Sequence, residues 1–159
     1  MTMPAPGAGA PAAPPTITEL NLGDDIKAAL GSALADGIPA VVAYVDEEGQ
    51  PSLSFRGSTH VYSPNQLAIW ARNPEGGLGN ALSKNNKVTV LYRNPTTRAF
   101  LTFKGDAHIE SSPEVRDRVY SGAPEREQQA DAEKKGLAVI VDLKKVDGMM
   151  MPNRYAMRK

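Results

Sequence analysis

Between Pro39 and Leu143 the chain is cut by turn residues into short β-rich runs, and the order of those runs restricts the folds open to it. Ala40 to Val45 and the stretch from Pro51 to Ser63 are joined by Asp46-Glu47-Glu48-Gly49, the composition of a hairpin turn. Gln66 to Ala71 follows the Ser63-Pro64-Asn65 turn, and Lys87 to Tyr92, Ala99 to Ile109 and Leu137 to Leu143 complete a predicted set of six strands. Helical spacing is confined to three places. Ile26, Ala29, Leu30, Ala33 and Leu34 recur three and four apart between Asp24 and Asp36, with Gly37 as a stop signal. The Asn73-Pro74-Glu75-Gly76-Gly77 break leads into a short helix over about Leu78 to Ser83. Ser112-Pro113-Glu114 places Pro at a first helical position and an acid beside the positive end of the dipole. The polar helix that follows runs to about Lys135, with an interruption at Gly122-Ala123-Pro124. Strands in hairpin order, without regular strand–helix alternation, exclude a doubly wound sheet. They predict a mainly β (α+β) fold, a six-stranded antiparallel β-barrel with peripheral helices.

Composition removes several chemistries. The 159 residues include no Cys, which excludes disulfides, thiolate metal sites, iron–sulfur clusters and a Cys nucleophile. Two histidines leave little for a His-rich metal cage. Lys and Arg total 18 against 18 Asp and Glu, so no global positive field marks a nucleic-acid or membrane-surface protein. The neutrality is nonetheless a sum of unlike blocks. Residues 1–55 carry seven acids and one base, whereas residues 56–105 carry seven bases (Arg56, Arg72, Lys84, Lys87, Arg93, Arg98, Lys104) against Glu75 alone. Residues 106–147 return to a net of −3 and residues 148–159 to +3. The basic middle is either charge scattered harmlessly over sheet faces or an anion site.

The first fifteen residues, MTMPAPGAGAPAAPP, have neither charge nor aromatic groups and read as a flexible tail. Without a basic start or a continuous apolar core they do not resemble a secretory signal, and no stretch has the length of a membrane span. A cytoplasmic protein with no membrane or nucleic-acid partner is expected. The predicted division is a Pro/Ala-rich tail over 1–19, one domain over 20–148 and a C-terminal tail over 149–159.

From about Leu20 to Met151 the chain resembles the split-barrel flavin-binding proteins related to pyridoxamine 5'-phosphate oxidase, including their deazaflavin-binding branch. The resemblance rests on the order of weak markers: the N-terminal helix, Gly37-Ile38-Pro39 opening a strand, and Asp46-Glu47-Glu48-Gly49-Gln50-Pro51 in the first turn. Ser52 to Ser58 on strand two, Leu67 to Arg72 on strand three and Asn80-Ala81-Leu82 before Lys84-Asn85-Asn86-Lys87-Val88 continue it. Leu101 to Ala107 matches the family's fifth-strand segment. The resemblance implies a homodimer with FMN, or alternatively an F-420-type deazaflavin, at the subunit interface and its phosphate held by strands two and three and the turn beyond. It also implies hydride transfer to or from a small-molecule substrate, with the cofactor supplying the reactive atom.

The residues it assigns to cofactor binding are Arg56, Gly57, Ser58, Thr59, Trp70, Ala71, Arg72, Asn73, Gly76, Gly77 and Leu78. Arg56 offers a permanently charged fork for a phosphate, with Ser58 and Thr59 as hydroxyl donors, or else it is a solvated strand charge. Arg72 is the second candidate. Gly76 and Gly77 before a helix either open backbone N–H groups to an anion or simply form a turn. Trp70 is a ring neighbour or a core residue, and Asn73 a ligand or a turn-former. No catalytic side chain and no metal ligand is assigned.

The departures carry weight too. The turn after strand three reads Pro74-Glu75-Gly76-Gly77 where relatives commonly place Lys or Arg, and strand two ends in Thr59-His60-Val61-Tyr62-Ser63 without the usual basic residue. The C-terminal Met149 to Lys159 lacks the Trp- and Arg-bearing pattern of the true oxidases, which argues against pyridoxamine phosphate as substrate. A non-catalytic flavin-, deazaflavin- or haem-binding protein of the same fold is the alternative. His60 and His108 read as structural or surface imidazoles, with haem ligation by one of them the other possibility. No Gly-x-Ser-x-Gly elbow is present for a hydrolase. Glu47 and Glu48 read as turn surface, Met149 to Met151 as an apolar seam or gap-filler, and Glu125 to Lys135 as a solvent-exposed helix.

Overall fold

The computed structural model describes residues 13–159, and the tail expectation falls mostly on residues outside these. Strand β1 (Thr18–Glu19) and helix α1 (Asp24–Ser32) precede a hairpin of β2 (Val41–Val45) and β3 (Pro51–Phe55). Then come β4 (His60–Ser63), β5 (Gln66–Ala71), helix α2 (Gly77–Leu82), β6 (Lys87–Asn94) and β7 (Ala99–Glu110). Helices α3 (Pro113–Gly122) and α4 (Glu125–Ala130) lead to β8 (Leu137–Met150) and β9 (Asn153–Arg158). The α3 start is as expected, with the Ser112 hydroxyl accepting from the Val115 N–H and Pro113 in the first turn. Pro124, which cannot donate into a helix, separates α3 from α4.

The fold is mainly β, but the expected strand number is corrected from six to nine, in one mixed sheet that does not close. Three causes account for the difference. The run from Pro51 to Ser63 is broken at Arg56 to Thr59, where the Thr59 N–H and hydroxyl both return to the Arg56 carbonyl in a tight turn. The chain thereby leaves β2 and pairs β4 with β5. Secondly, the segment 149–159, expected as a tail, finishes β8 and forms β9, paired from Lys145↔Arg158 to Met150↔Asn153. Thirdly, β1 adds to β9 in parallel, an exception to the otherwise antiparallel pairing.

Alternation decides which face each strand buries. Along β7, Ala99, Leu101, Phe103 and Ala107 point inward to meet Val88, Val90 and Tyr92 of β6 and Val139, Val141, Leu143 and Val146 of β8. Ile26 and Leu30 of α1 seal one end of this core. A second cluster lies on the opposite face of β5 and β8, where Ala68, Trp70, Ala138 and Ile140 pack beneath Val119 and Tyr120 of α3. Strand β5 is therefore buried on both sides, which explains its nearly unbroken apolar run.

Phe103 is the largest fully buried side chain. Its replacement by Ala is expected to cost about 3–5 kcal/mol of unfolding free energy, measurable by urea denaturation of the purified protein.

Candidate functional site

The Arg56 to Thr59 turn that splits the second β-rich run lies against the end of β5. The Ser58 hydroxyl bridges the turn to the strand, donating to the Trp70 carbonyl and accepting from the Trp70 N–H, both at 2.9 Å. The Trp70 indole N–H donates to Asp131 Oδ2 at 2.8 Å, and the ring meets Tyr120 edge-on at 5.2 Å. Burial pushes the Asp131 carboxyl up, but hydrogen bonds from Trp70 and from the Gly136 and Lys135 backbone outweigh it and hold the pKa below the ordinary carboxylate value. Arg116 stacks over the same indole and donates to the carbonyls of Gly136 and Lys134. These contacts fix the turn, the end of β5 and α4 as one support.

Between them is a cleft of about 340 Å³ lined by Phe55, Arg56, Gly57, Ser58, Trp70, Arg72, Asn73 and Glu127. Arg56 donates through Nε to the Ser54 hydroxyl at 2.9 Å, which orients the guanidinium. Burial is the main influence lowering the Arg56 pKa and nearby Arg72 adds to it, while Tyr44 and Glu127 oppose both. A guanidinium still remains charged under ordinary conditions. Arg72 Nε lies 3.3 Å from Glu127 Oε2, the acid being the more buried partner. Gly57 lies against this pair, and a Cβ there would stand 2.7 Å from Glu127 Oε1 and 2.9 Å from Leu34 Cδ1, so that one of these side-chain ends would have to shift.

Of the residues singled out from the sequence, Arg56, Gly57, Ser58, Trp70, Arg72 and Asn73 meet in the cleft. Thr59, Ala71, Gly76, Gly77 and Leu78 do not line it. The Ser58 and Thr59 hydroxyls donate within the chain, to Trp70 and Arg56 carbonyls respectively. Asn73 forms its own turn, its side-chain oxygen accepting from the Glu75 N–H and its carbonyl from the Gly76 N–H. Ala71 and Leu78 are core residues, and Gly77 packs against the Tyr44 hydroxyl. The sequence reading missed Phe55 and Glu127. Strand alternation could have flagged Phe55, an apolar side chain 73% exposed at the end of β3. Nothing local distinguishes Glu127 from the other acids of a polar helix.

No family model matches this sequence, and no curated protein matches it either. Solved structures do. HupZ of Group A Streptococcus is similar over 84% of this chain and 98% of its own, at 15% identity and a TM-score of 0.65. A protein related to general stress protein 26, of the pyridoxinephosphate oxidase family, from Clostridium acetobutylicum covers 80% of this chain and 90% of its own, at 13% identity and a TM-score of 0.58. A heme binding protein from Mycobacterium smegmatis matches 83% of this chain and 57% of its own length, at 13% identity and a TM-score of 0.59. The chain has the pyridoxamine 5'-phosphate oxidase-like fold. At these identities the likeness speaks to the fold alone.

Within the pyridoxamine 5'-phosphate oxidase-like fold the two histidines occupy contrasting places. His60 on β4 is buried, with Nδ1 2.6 Å from the Ser58 carbonyl and the ring against Gly122 of α3. Burial lowers its pKa, and Arg118 lowers it further against the effect of the Ser58 hydrogen bond. The ring therefore stays neutral, with Nδ1–H donating. His108 on β7 is half exposed between Glu110 at 2.9 Å and Asp142 at 3.1 Å. No group of three or more metal-ligating side chains is assembled among the described residues, and none of their helices is long and apolar enough to cross a membrane.

The lowered His60 pKa has a definite sign in stability. Below about pH 6.5 the unfolded chain takes up a proton that the folded ring resists, so this residue makes stability fall as the pH drops. Thermal unfolding between pH 7.5 and 5.5 is expected to show a shallower decline for His60→Gln than for the parent protein.

Proposed function

We propose that this protein is a flavin-dependent oxidoreductase that acts as a homodimer, with FMN held by its phosphate in the Arg56–Arg72 cleft. An F-420-type deazaflavin is the alternative cofactor. The observation that carries the reading is the continuity of a cationic cleft with an apolar surface. Phe55 borders the cleft and also a groove of about 330 Å³ formed with Ile38, Pro39, Val41, Leu91 and Pro95. Pairing of Val41 with both Phe55 and Leu91 sets these three side chains in one row across β3, β2 and β6. Leu53 and Phe100 extend the exposed apolar strip. A ligand with an anionic end and a planar apolar end matches this succession of surfaces.

The residues present fit such a group in part. Two guanidinium groups suit a phosphate monoester, with Arg56 oriented by Ser54 in advance. The groove is open on one side, so a ring laid along it would be shielded from water only by another molecule. A second copy presenting its own Leu53–Phe55 face supplies that cover, as exposed apolar patches generally do for interfaces. Bound flavin supplies hydride transfer. Arg56 and Arg72 would neutralise the phosphate, and the Phe55 row would exclude water. The small organic substrate would enter beside the apolar row.

A second reading, a non-catalytic flavin-, deazaflavin- or haem-binding protein, is favoured by one feature of the cleft. Glu127 already pairs with Arg72 and reduces the positive charge available to a ligand. Separate titrations with FMN, deazaflavin and haem, followed by absorption spectra and then by turnover with reduced nicotinamide donors, discriminate the two. Arg56→Ala is expected to weaken FMN binding about 10- to 100-fold while leaving riboflavin affinity nearly unchanged. Equal losses for both ligands would remove Arg56 from the phosphate site. Phe55→Ser is expected to shift the protein from dimer to monomer in light scattering, and a parent protein that is itself monomeric would overturn the homodimer.

A further inference from the structure

Glu127 projects from a helix whose backbone is held at both ends. The Tyr120 hydroxyl donates to the Gln128 carbonyl, the Gln128 amide donates to the Ala123 carbonyl, and Asp131 takes the Trp70 indole N–H together with two backbone N–H groups. No residue of α4 is itself buried, yet the Glu127 side chain is only 14% exposed because it reaches over Gly57 to Arg72. One carboxylate oxygen thus faces the Gly57 backbone and the other the Arg72 guanidinium. The same side chain borders a neighbouring hollow of about 540 Å³, which Arg72, Arg126, Leu34 and Pro39 also line. The carboxylate therefore has free space beside it, on a helix that is itself held in place.

Resting on the reading of this cleft as a phosphate site, we propose that Glu127 is an internal counter-ion of the cleft, occupying Arg72 until the phosphate of an incoming ligand displaces it toward the Arg126 side. A phosphate dianion and a carboxylate on the same guanidinium repel each other, so the two compete for Arg72. With Glu127 in place the two arginines carry a net charge of about +1 toward the cleft. Once it has swung out they present two positive charges to a dianion. The device lowers affinity for stray monoanions, which cannot repay loss of the ion pair, and so selects for phosphate monoesters.

Glu127→Gln keeps the shape of the side chain and removes its charge. FMN, riboflavin and inorganic phosphate are titrated against the parent protein, Glu127→Gln and Glu127→Ala, with thermal melts confirming that each variant is folded. The expected result is a gain of about tenfold or more in FMN affinity for both variants, a parallel gain for inorganic phosphate and no change for riboflavin. An FMN affinity that is unchanged or reduced in both variants, while Arg56→Ala still weakens FMN selectively, would overturn the counter-ion role and leave the phosphate site standing. Equal gains for FMN and riboflavin would also overturn it, because the carboxylate would then act on the ring. If neither the parent nor the variants bind FMN, or if Arg56→Ala has no selective effect, the phosphate site itself falls and the counter-ion role with it.

Discussion

The arrangement of this protein depends on β8, a strand of 14 residues that has hydrogen-bonded neighbours on both sides. One side pairs with β7 along nearly its whole length, from Phe100↔Met149 to Glu110↔Ala138. The other side is shared, its first half with β5 and its second with β9. Around Lys144 the sheet therefore divides into two branches, and it stays open because β1, β3 and β4 each have a single strand neighbour. Since β5 carries Trp70 and is followed by Arg72, the first branch fixes half of the candidate cleft. The other half arrives because the chain turns at Arg56 to bring β4 alongside β5.

Rigidity near the cleft comes from polar contacts more than from the main core. Ser58, Trp70 and Asp131 link the turn, the strand and the connection after α4, and Tyr120 and Arg116 pack on the indole they hold in place. Buried polar groups are worth most when each has its partner, and no buried side-chain polar atom is left unpaired among the described residues. Glu127 stands on the helix so fixed, above two guanidinium groups.

Much of the architecture was legible along the chain. Turn residues and alternation located β2, β5, β6 and β7 closely, and Ser112-Pro113 with Gly122-Ala123-Pro124 marked both ends of α3. Arg56 and Arg72 could be noticed as members of a basic block. The break between β3 and β4 went unread although Gly57-Ser58-Thr59 is a cluster of turn residues, since the bonds that make it a turn, from Thr59 to the Arg56 carbonyl and from Ser58 to Trp70, form only in the folded chain. Strand β9 was not legible, since Asn153 to Arg158 is weakly apolar and gains its strand conformation from pairing with β8. Glu127 lies beyond local reading altogether, 55 positions after the Arg72 it meets.

The sequence by itself determined the class of fold, the faces that the strands bury and the unequal distribution of charge. Those properties follow from local rules, in which a side chain's polarity and its neighbours within a turn or a strand settle the outcome. Only the tertiary structure decided that two of seven bases in the middle block share a cleft, that both hydroxyls beside Arg56 are spent on the chain's own carbonyls, and that an acid from a distant helix opposes the arginines. Coulomb attraction and hydrogen bonding act over a few ångströms of space regardless of separation along the chain, so which charges meet is settled by packing.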